Sequence, residues 1–139
     1  MAERSDVDLL EDLLARENRL LSAYEAALRR EAIDVALGET LRDHEQEHAR
    51  ALEEALRHTG RRSPRASVPS HELTAALRSR ASFARYAVDL EAKALASYAE
   101  AAAAIRNPRL RQPLGSIMAC EAAHEVALRE SLGDRSLVD

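Results

Sequence analysis

The sequence carries two Glu-x-x-His pairs, Glu45 with His48 and Glu121 with His124, and two glutamates followed seven residues later by tyrosine, Glu17 with Tyr24 and Glu91 with Tyr98. Glu and His three residues apart on a helix share one face, so a single helix can present a carboxylate oxygen and an imidazole nitrogen to the same centre. Two divalent cations would balance the charge of these four glutamates, with neutral imidazoles completing the donor set. Mixed oxygen and nitrogen donors suit iron or manganese. A second pattern competes for the same residues: His44-Glu45-Gln46-Glu47-His48 satisfies the His-Glu-x-x-His signature of zinc proteases, in which Glu45 would be the base rather than a ligand. The metzincin extension is missing after His48, and no strand is predicted that could hold a substrate.

The helices that must position these groups are legible from periodicity. Apolar residues recur at three and four, with no sustained two-residue alternation, and this predicts an all-α fold of four helices over about 5–31, 35–58, 71–105 and 108–132. Ser5 with Asp8, and Asp34, are the expected N-caps of the first two helices. Gly60 and Gly133 are the expected stops of the second and fourth, and Pro108 suits a first helical position. Residues 60–70, with Pro64 and Pro69, read as a linker, and a break is signalled near Arg78–Ser82 in the third helix. On the apolar stripe of each helix a carboxylate stands where phase assigns the core. Glu17 sits between Leu13/Leu14 and Leu20/Leu21, Glu45 between Leu41 and Leu52, Glu91 between Ala87 and Leu95, and Glu121 between Ile117 and Leu128. Four buried, unpartnered carboxylates would cost several kcal/mol each, so something cationic must lie among them.

An internal repeat reinforces the reading. Glu17, Leu21 and Tyr24 recur as Glu91, Leu95 and Tyr98 at an offset of 74, and Glu45, His48, Leu52 and Leu56 recur as Glu121, His124, Leu128 and Leu132 at an offset of 76. The two halves therefore read as copies of one helical hairpin. Residue 31 lies midway between Glu17 and Glu45, and residue 106 midway between Glu91 and Glu121, each beside an expected turn. Antiparallel helices thus bring each ligand set level, roughly 21 to 24 Å from its turn at about 1.5 Å per residue.

With these motifs in this order, the chain resembles the ferritin-like superfamily, in particular its bacterioferritin and rubrerythrin branch, over roughly residues 5 to 133. The resemblance implies a ferritin-like four-helix bundle of two antiparallel hairpins joined by a crossover linker. It implies that Glu17, Glu45, His48, Glu91, Glu121 and His124 ligate two metal ions, iron first and manganese or zinc as alternatives, with Glu45 and Glu121 bridging. Tyr24 and Tyr98 would donate hydrogen bonds to the ligands from behind. The implied activity is that of an oxidoreductase of ferroxidase or peroxidase type, using dioxygen or hydrogen peroxide; the alternative is a non-enzymatic bundle whose site is degenerate or structural. A homodimer follows from family habit. The rubredoxin segment and the fifth helix of cage ferritins have no counterpart here.

Bulk properties set the remaining expectations. A chain of 139 residues fits a single domain. Its 46% hydrophobic, 32% charged and 3% aromatic content favours helices over sheets. A net charge of −4 argues against a nucleic-acid or membrane partner. The single cysteine, Cys120, permits neither an internal disulfide nor a thiolate cluster, so an external electron donor would be needed; the thiol itself reads as inert and buried, with redox sensitivity beside Glu121 as the alternative. Without a signal-like or membrane-length apolar stretch, a cytoplasmic location is the default expectation.

Overall fold

Short polar side chains set where each helix starts. In the computed structural model, which describes residues 4–59 and 70–133, α1 spans Asp6–Arg29. Ser5 Oγ accepts from the Asp8 amide at 3.1 Å while the Asp8 carboxylate accepts from the Ser5 amide at 3.2 Å, the reciprocal capping box expected from the sequence. The turn after α1 places Glu31 in the left-handed region at φ 54°, where the chain reverses. Asp34 then caps α2, Val35–Arg57, by accepting from the Leu37 amide at 3.1 Å. Gly38 lets this turn pack tightly, because a Cβ there would stand 2.7 Å from both Ile33 Cγ2 and Leu28 Cδ2.

The third predicted helix, about 71–105, is two helices. α3, His71–Ala76, is capped by Ser70, and α4, Arg80–Ala104, is capped by Ser79, whose extended backbone at φ −154°, ψ 161° interrupts the run. The physical reason is local: Ser79 Oγ accepts from the Ser82 amide at 3.0 Å, so the chain exchanges helical continuity for a new cap. Leu73 and Ala76 on α3 are buried. The fourth predicted helix, about 108–132, begins with a 3-10 turn, Pro108–Leu110, before α5, Arg111–Ser131. Asn107 caps that turn, and the Asp6 carboxylate accepts from the Arg106 and Asn107 amides at 2.8 and 2.9 Å, tying the start of α1 to the α4–α5 corner. Gly133, at φ 73°, follows α5 as expected of a helix stop. Residues 60–69, which hold Gly60 and most of the expected linker, lie outside the described residues.

The fold is all-α, a bundle of antiparallel helices with no strand among the described residues. Tyr24 meets Glu91 and Tyr98 meets Glu17, so residue numbers rise on α1 as they fall on α4; the two helices are antiparallel. The same holds for α2 and α5, where His48 meets Glu121 and His124 meets Glu45. The interior has two apolar ends. One holds Leu20, Tyr24, Leu41, Leu73, Phe83, Ala87 and Leu128; the other holds Leu10, Leu13, Leu14, Leu52, Leu56, Ile105, Leu114 and Ile117. Leu56 near the end of α2 and Leu73 in α3 therefore belong to opposite ends of the bundle, as a crossover topology requires. Among the described residues no helix is long and apolar enough to cross a membrane.

Candidate metal centre

Between the two apolar ends lies a polar layer. Glu17, Glu45, Glu91 and Glu121 are each 0% exposed, His48 is 8% exposed and His124 3%, so all six side chains picked out by helical phase point inward. Their donor atoms gather into two groups: Glu17, Glu45, His48 and Glu121 in one, Glu45, Glu91, Glu121 and His124 in the other, with one ligand atom from each residue within 4.8 Å of the rest of its group. Glu45 and Glu121 belong to both. His48 Nδ1 lies 3.2 Å from Glu45 Oε2 and 3.2 Å from Glu121 Oε1, and His124 Nδ1 lies 3.0, 3.3 and 3.2 Å from Glu45, Glu91 and Glu121.

The two hairpins serve each other. Tyr24 of α1 donates its hydroxyl to Glu91 Oε1 of α4 at 2.5 Å, and Tyr98 of α4 donates to Glu17 Oε1 of α1. Both tyrosines are fully buried. Burial, and then the charge of Glu91 on Tyr24 and of Glu17 on Tyr98, hold both phenols well above their ordinary range, so they remain protonated donors. Each terminal carboxylate is thus fixed by a residue from the other half of the chain.

Electrostatics divides the carboxylates into two kinds. Burial raises Glu45 to about 8 and Glu121 to about 10, and neighbouring carboxylates push in the same direction. Burial acts likewise on Glu17 and Glu91, but hydrogen bonding with His48 and His124 respectively outweighs it and leaves both below the usual carboxylate range. Burial also works against charging the imidazoles, yet contact with three carboxylates apiece wins, raising His48 far above its ordinary value and His124 to about 12. Without a metal, these shifts favour charge on the imidazoles and on Glu17 and Glu91, and protons on Glu45 and Glu121.

This arrangement leaves donors unused. Glu17 Oε2, Glu45 Oε1 and Glu91 Oε2 are buried and make no hydrogen bond, although Glu45 Oε1 lies 3.0 Å from His124 Nδ1. A buried acceptor left without a hydrogen bond costs about 1–3 kcal/mol, and more if charged. Oxygen acceptors converging from four helices beside two imidazole nitrogens fit divalent cations, and these buried clusters could hold metal ions. The His-Glu-x-x-His pattern of zinc proteases is not assembled, because His48 falls in the carboxylate layer while His44 groups with Cys120 and His124.

One side chain differs from its sequence reading: Cys120 is half-buried rather than sealed in apolar surroundings, with its Sγ 3.3 Å from His124 Nε2. His44 stands 3.0 Å from that same nitrogen. The repeat carried the signal: the 76-residue offset that maps Glu45 onto Glu121 also maps His44 onto Cys120.

Antiparallel helical hairpins with a shared glutamate–histidine layer at mid-height define a carboxylate-centred four-helix bundle. A family model described as the ferritin-like domain matches residues 5–134, and the chain belongs to that family. No curated protein and no solved structure matches the chain.

Proposed function

We propose that this protein binds two divalent metal ions in its carboxylate layer, iron first and manganese or zinc as alternatives, and acts as an oxidoreductase of ferroxidase or peroxidase type. The observation that carries the reading is the overlap of the two donor groups at Glu45 and Glu121, the arrangement that two carboxylates bridging a metal pair would take. A redox-active metal pair held there would supply electrons to dioxygen or hydrogen peroxide.

The chain's own residues do the rest. Glu17 and His48 serve one position, Glu91 and His124 the other, and Glu45 and Glu121 reach both. Tyr98 and Tyr24 hold Glu17 and Glu91 in one orientation, which fixes which carboxylate oxygen faces the metal. The apolar ends above and below exclude water from the layer. With a single cysteine in the chain, re-reduction draws on an external donor.

The reading as a non-enzymatic bundle has one observation in its favour: His48 and His124 each place a ring nitrogen within 3.0–3.3 Å of two or three glutamates, contacts that imidazolium would also satisfy. The two readings part in one experiment. Protein loaded anaerobically with Fe(II) is mixed with dioxygen or with peroxide, and near-ultraviolet absorbance is followed. Rapid growth of ferric absorbance, faster than in protein-free buffer and abolished in Glu45→Ala, is expected. Oxidation no faster than in buffer leaves the structural bundle.

A further inference from the structure

His124 has a second face. Its Nδ1 points at the carboxylates, while its Nε2 lies 3.0 Å from His44 Nδ1 and 3.3 Å from Cys120 Sγ; the third side of the triangle, His44 Nδ1 to Cys120 Sγ, is 3.7 Å. The two imidazole planes are within 9° of one another, so their nitrogens meet edge to edge. His124 is nearly sealed at 3% exposure, whereas His44 and Cys120 are half-buried, which leaves this triangle closed on the side of the carboxylates and open on the other. Neither His44 nor Cys120 takes part in the carboxylate groups.

We propose that His44, Cys120 and His124 Nε2 form a separate site for one cation of the zinc class, with a fourth position facing solvent. A tetrahedral ion bound at about 2.0–2.1 Å by nitrogen and about 2.3 Å by sulfur sets its nitrogens about 3.4 Å apart and each nitrogen about 3.6 Å from the sulfur. The three measured separations fall within about 0.4 Å of that figure. Hydrogen bonding accounts for less of the triangle: one Nε2 proton serves the edge to His44, and a thiol, weak both as donor and as acceptor, adds little along the two edges to sulfur.

Donor type separates this site from the carboxylate layer. A thiolate with two imidazoles selects zinc or copper, while the layer of four glutamates and two imidazoles suits iron or manganese. Binding exchanges protons for metal: the ion displaces the thiol proton and the Nε2 proton to solvent, and no electron moves. His124 is shared, with Nδ1 facing the carboxylates and Nε2 facing the triangle: with the inner layer empty the outer ion would leave it a neutral imidazole, and with both filled the ring would give up both protons and bridge as imidazolate.

Cobalt(II) added to the full-length, reduced protein tests this directly. A cobalt–thiolate bond gives a near-ultraviolet charge-transfer band, and because the chain has one cysteine and the carboxylate layer has no sulfur, the band reports this site alone. The band is expected to saturate at the intensity of one cobalt–thiolate bond per chain and to bleach when zinc is added. Cys120→Ser should abolish it, and His44→Ala should weaken cobalt binding by at least about tenfold, with the helical circular dichroism of both variants unchanged. Absence of the band in the unmodified protein, or an undiminished band in His44→Ala, overturns the proposal. Failure of iron uptake with the band intact would count against the carboxylate reading and leave this site standing.

Discussion

The α1/α2 and α4/α5 hairpins hold the same inner set, a Glu and Tyr on one helix and a Glu-x-x-His on the other, and they differ almost everywhere else. The first turns through a left-handed Glu31, the second through Asn107 and a 3-10 turn. The first opens on a full capping box; α4 opens on a single Ser79 bond after the short α3. At matched positions one places His44 and the other Cys120. Duplication thus covers the level where charge enters the interior and the leucines beside it, and stops at the turns and caps. Turns and caps need only satisfy backbone groups, and several chemistries do that equally well, whereas a buried carboxylate must have a particular partner at a particular height.

The strongest way to break this two-fold picture is to remove donors one at a time. Glu45→Ala and Glu121→Ala, which touch both donor groups, should lower metal affinity more than about a hundredfold and abolish the two-ion stoichiometry, beyond the effect of losing a partner behind a ligand. Glu17→Ala and Glu91→Ala should each leave one ion bound. Calorimetric titration reads the difference, and identical losses in all four variants would contradict the shared role of Glu45 and Glu121.

Protons sharpen the comparison next. Glu45 at about 8, Glu121 at about 10, and His48 and His124 raised still further all carry protons at pH 7 in the metal-free layer. Two cations binding to four ionised glutamates and two neutral imidazoles must therefore release about four protons. Affinity should rise with pH, by about tenfold per pH unit for each proton released, until Glu45 and then Glu121 ionise unaided. Titrations in buffers of different ionisation enthalpy count the protons, and a count near zero would show that the layer was already ionised.

Exchange between the hairpins predicts a smaller, matched effect. Tyr24→Phe and Tyr98→Phe should each weaken metal binding by about tenfold, and by similar amounts, because each removes the donor behind one terminal glutamate. The smallest effects belong to the caps. Ser5→Ala and Ser79→Ala should each cost about 1 kcal/mol in chemical denaturation, Ser5 the more because its loss also removes its part of the box.

What the sequence made legible followed from helical phase. Glu17, Glu45, His48, Glu91, Glu121 and His124 could be assigned to one buried layer because each interrupts an apolar stripe, and their common height followed from distances to the turns. Tyr24 and Tyr98 could be assigned to the same faces, but the crossing that gives Tyr24 to Glu91 and Tyr98 to Glu17 depends on how two hairpins dock, which no periodicity within one helix encodes. The break before α4 was signalled only as a region, since Ser79 can either continue a helix or cap one. The Asp6 bonds to Arg106 and Asn107 join residues about a hundred positions apart and carried no local signal. His44 and Cys120 were visible as a matched pair in the repeat, yet their convergence on His124 Nε2 needed the orientation of a ring.

The central claim is that carboxylates forced into the interior are there to hold two metal ions. Elemental analysis of protein purified under iron and manganese supplementation, repeated after chelation and reconstitution, tests it most directly. The account predicts close to two iron or manganese ions per chain, lost to the chelator, regained on reconstitution, and sharply reduced in Glu45→Ala and His124→Ala. A chain that takes up no metal, or whose two variants take up as much as the unmodified protein, would contradict it.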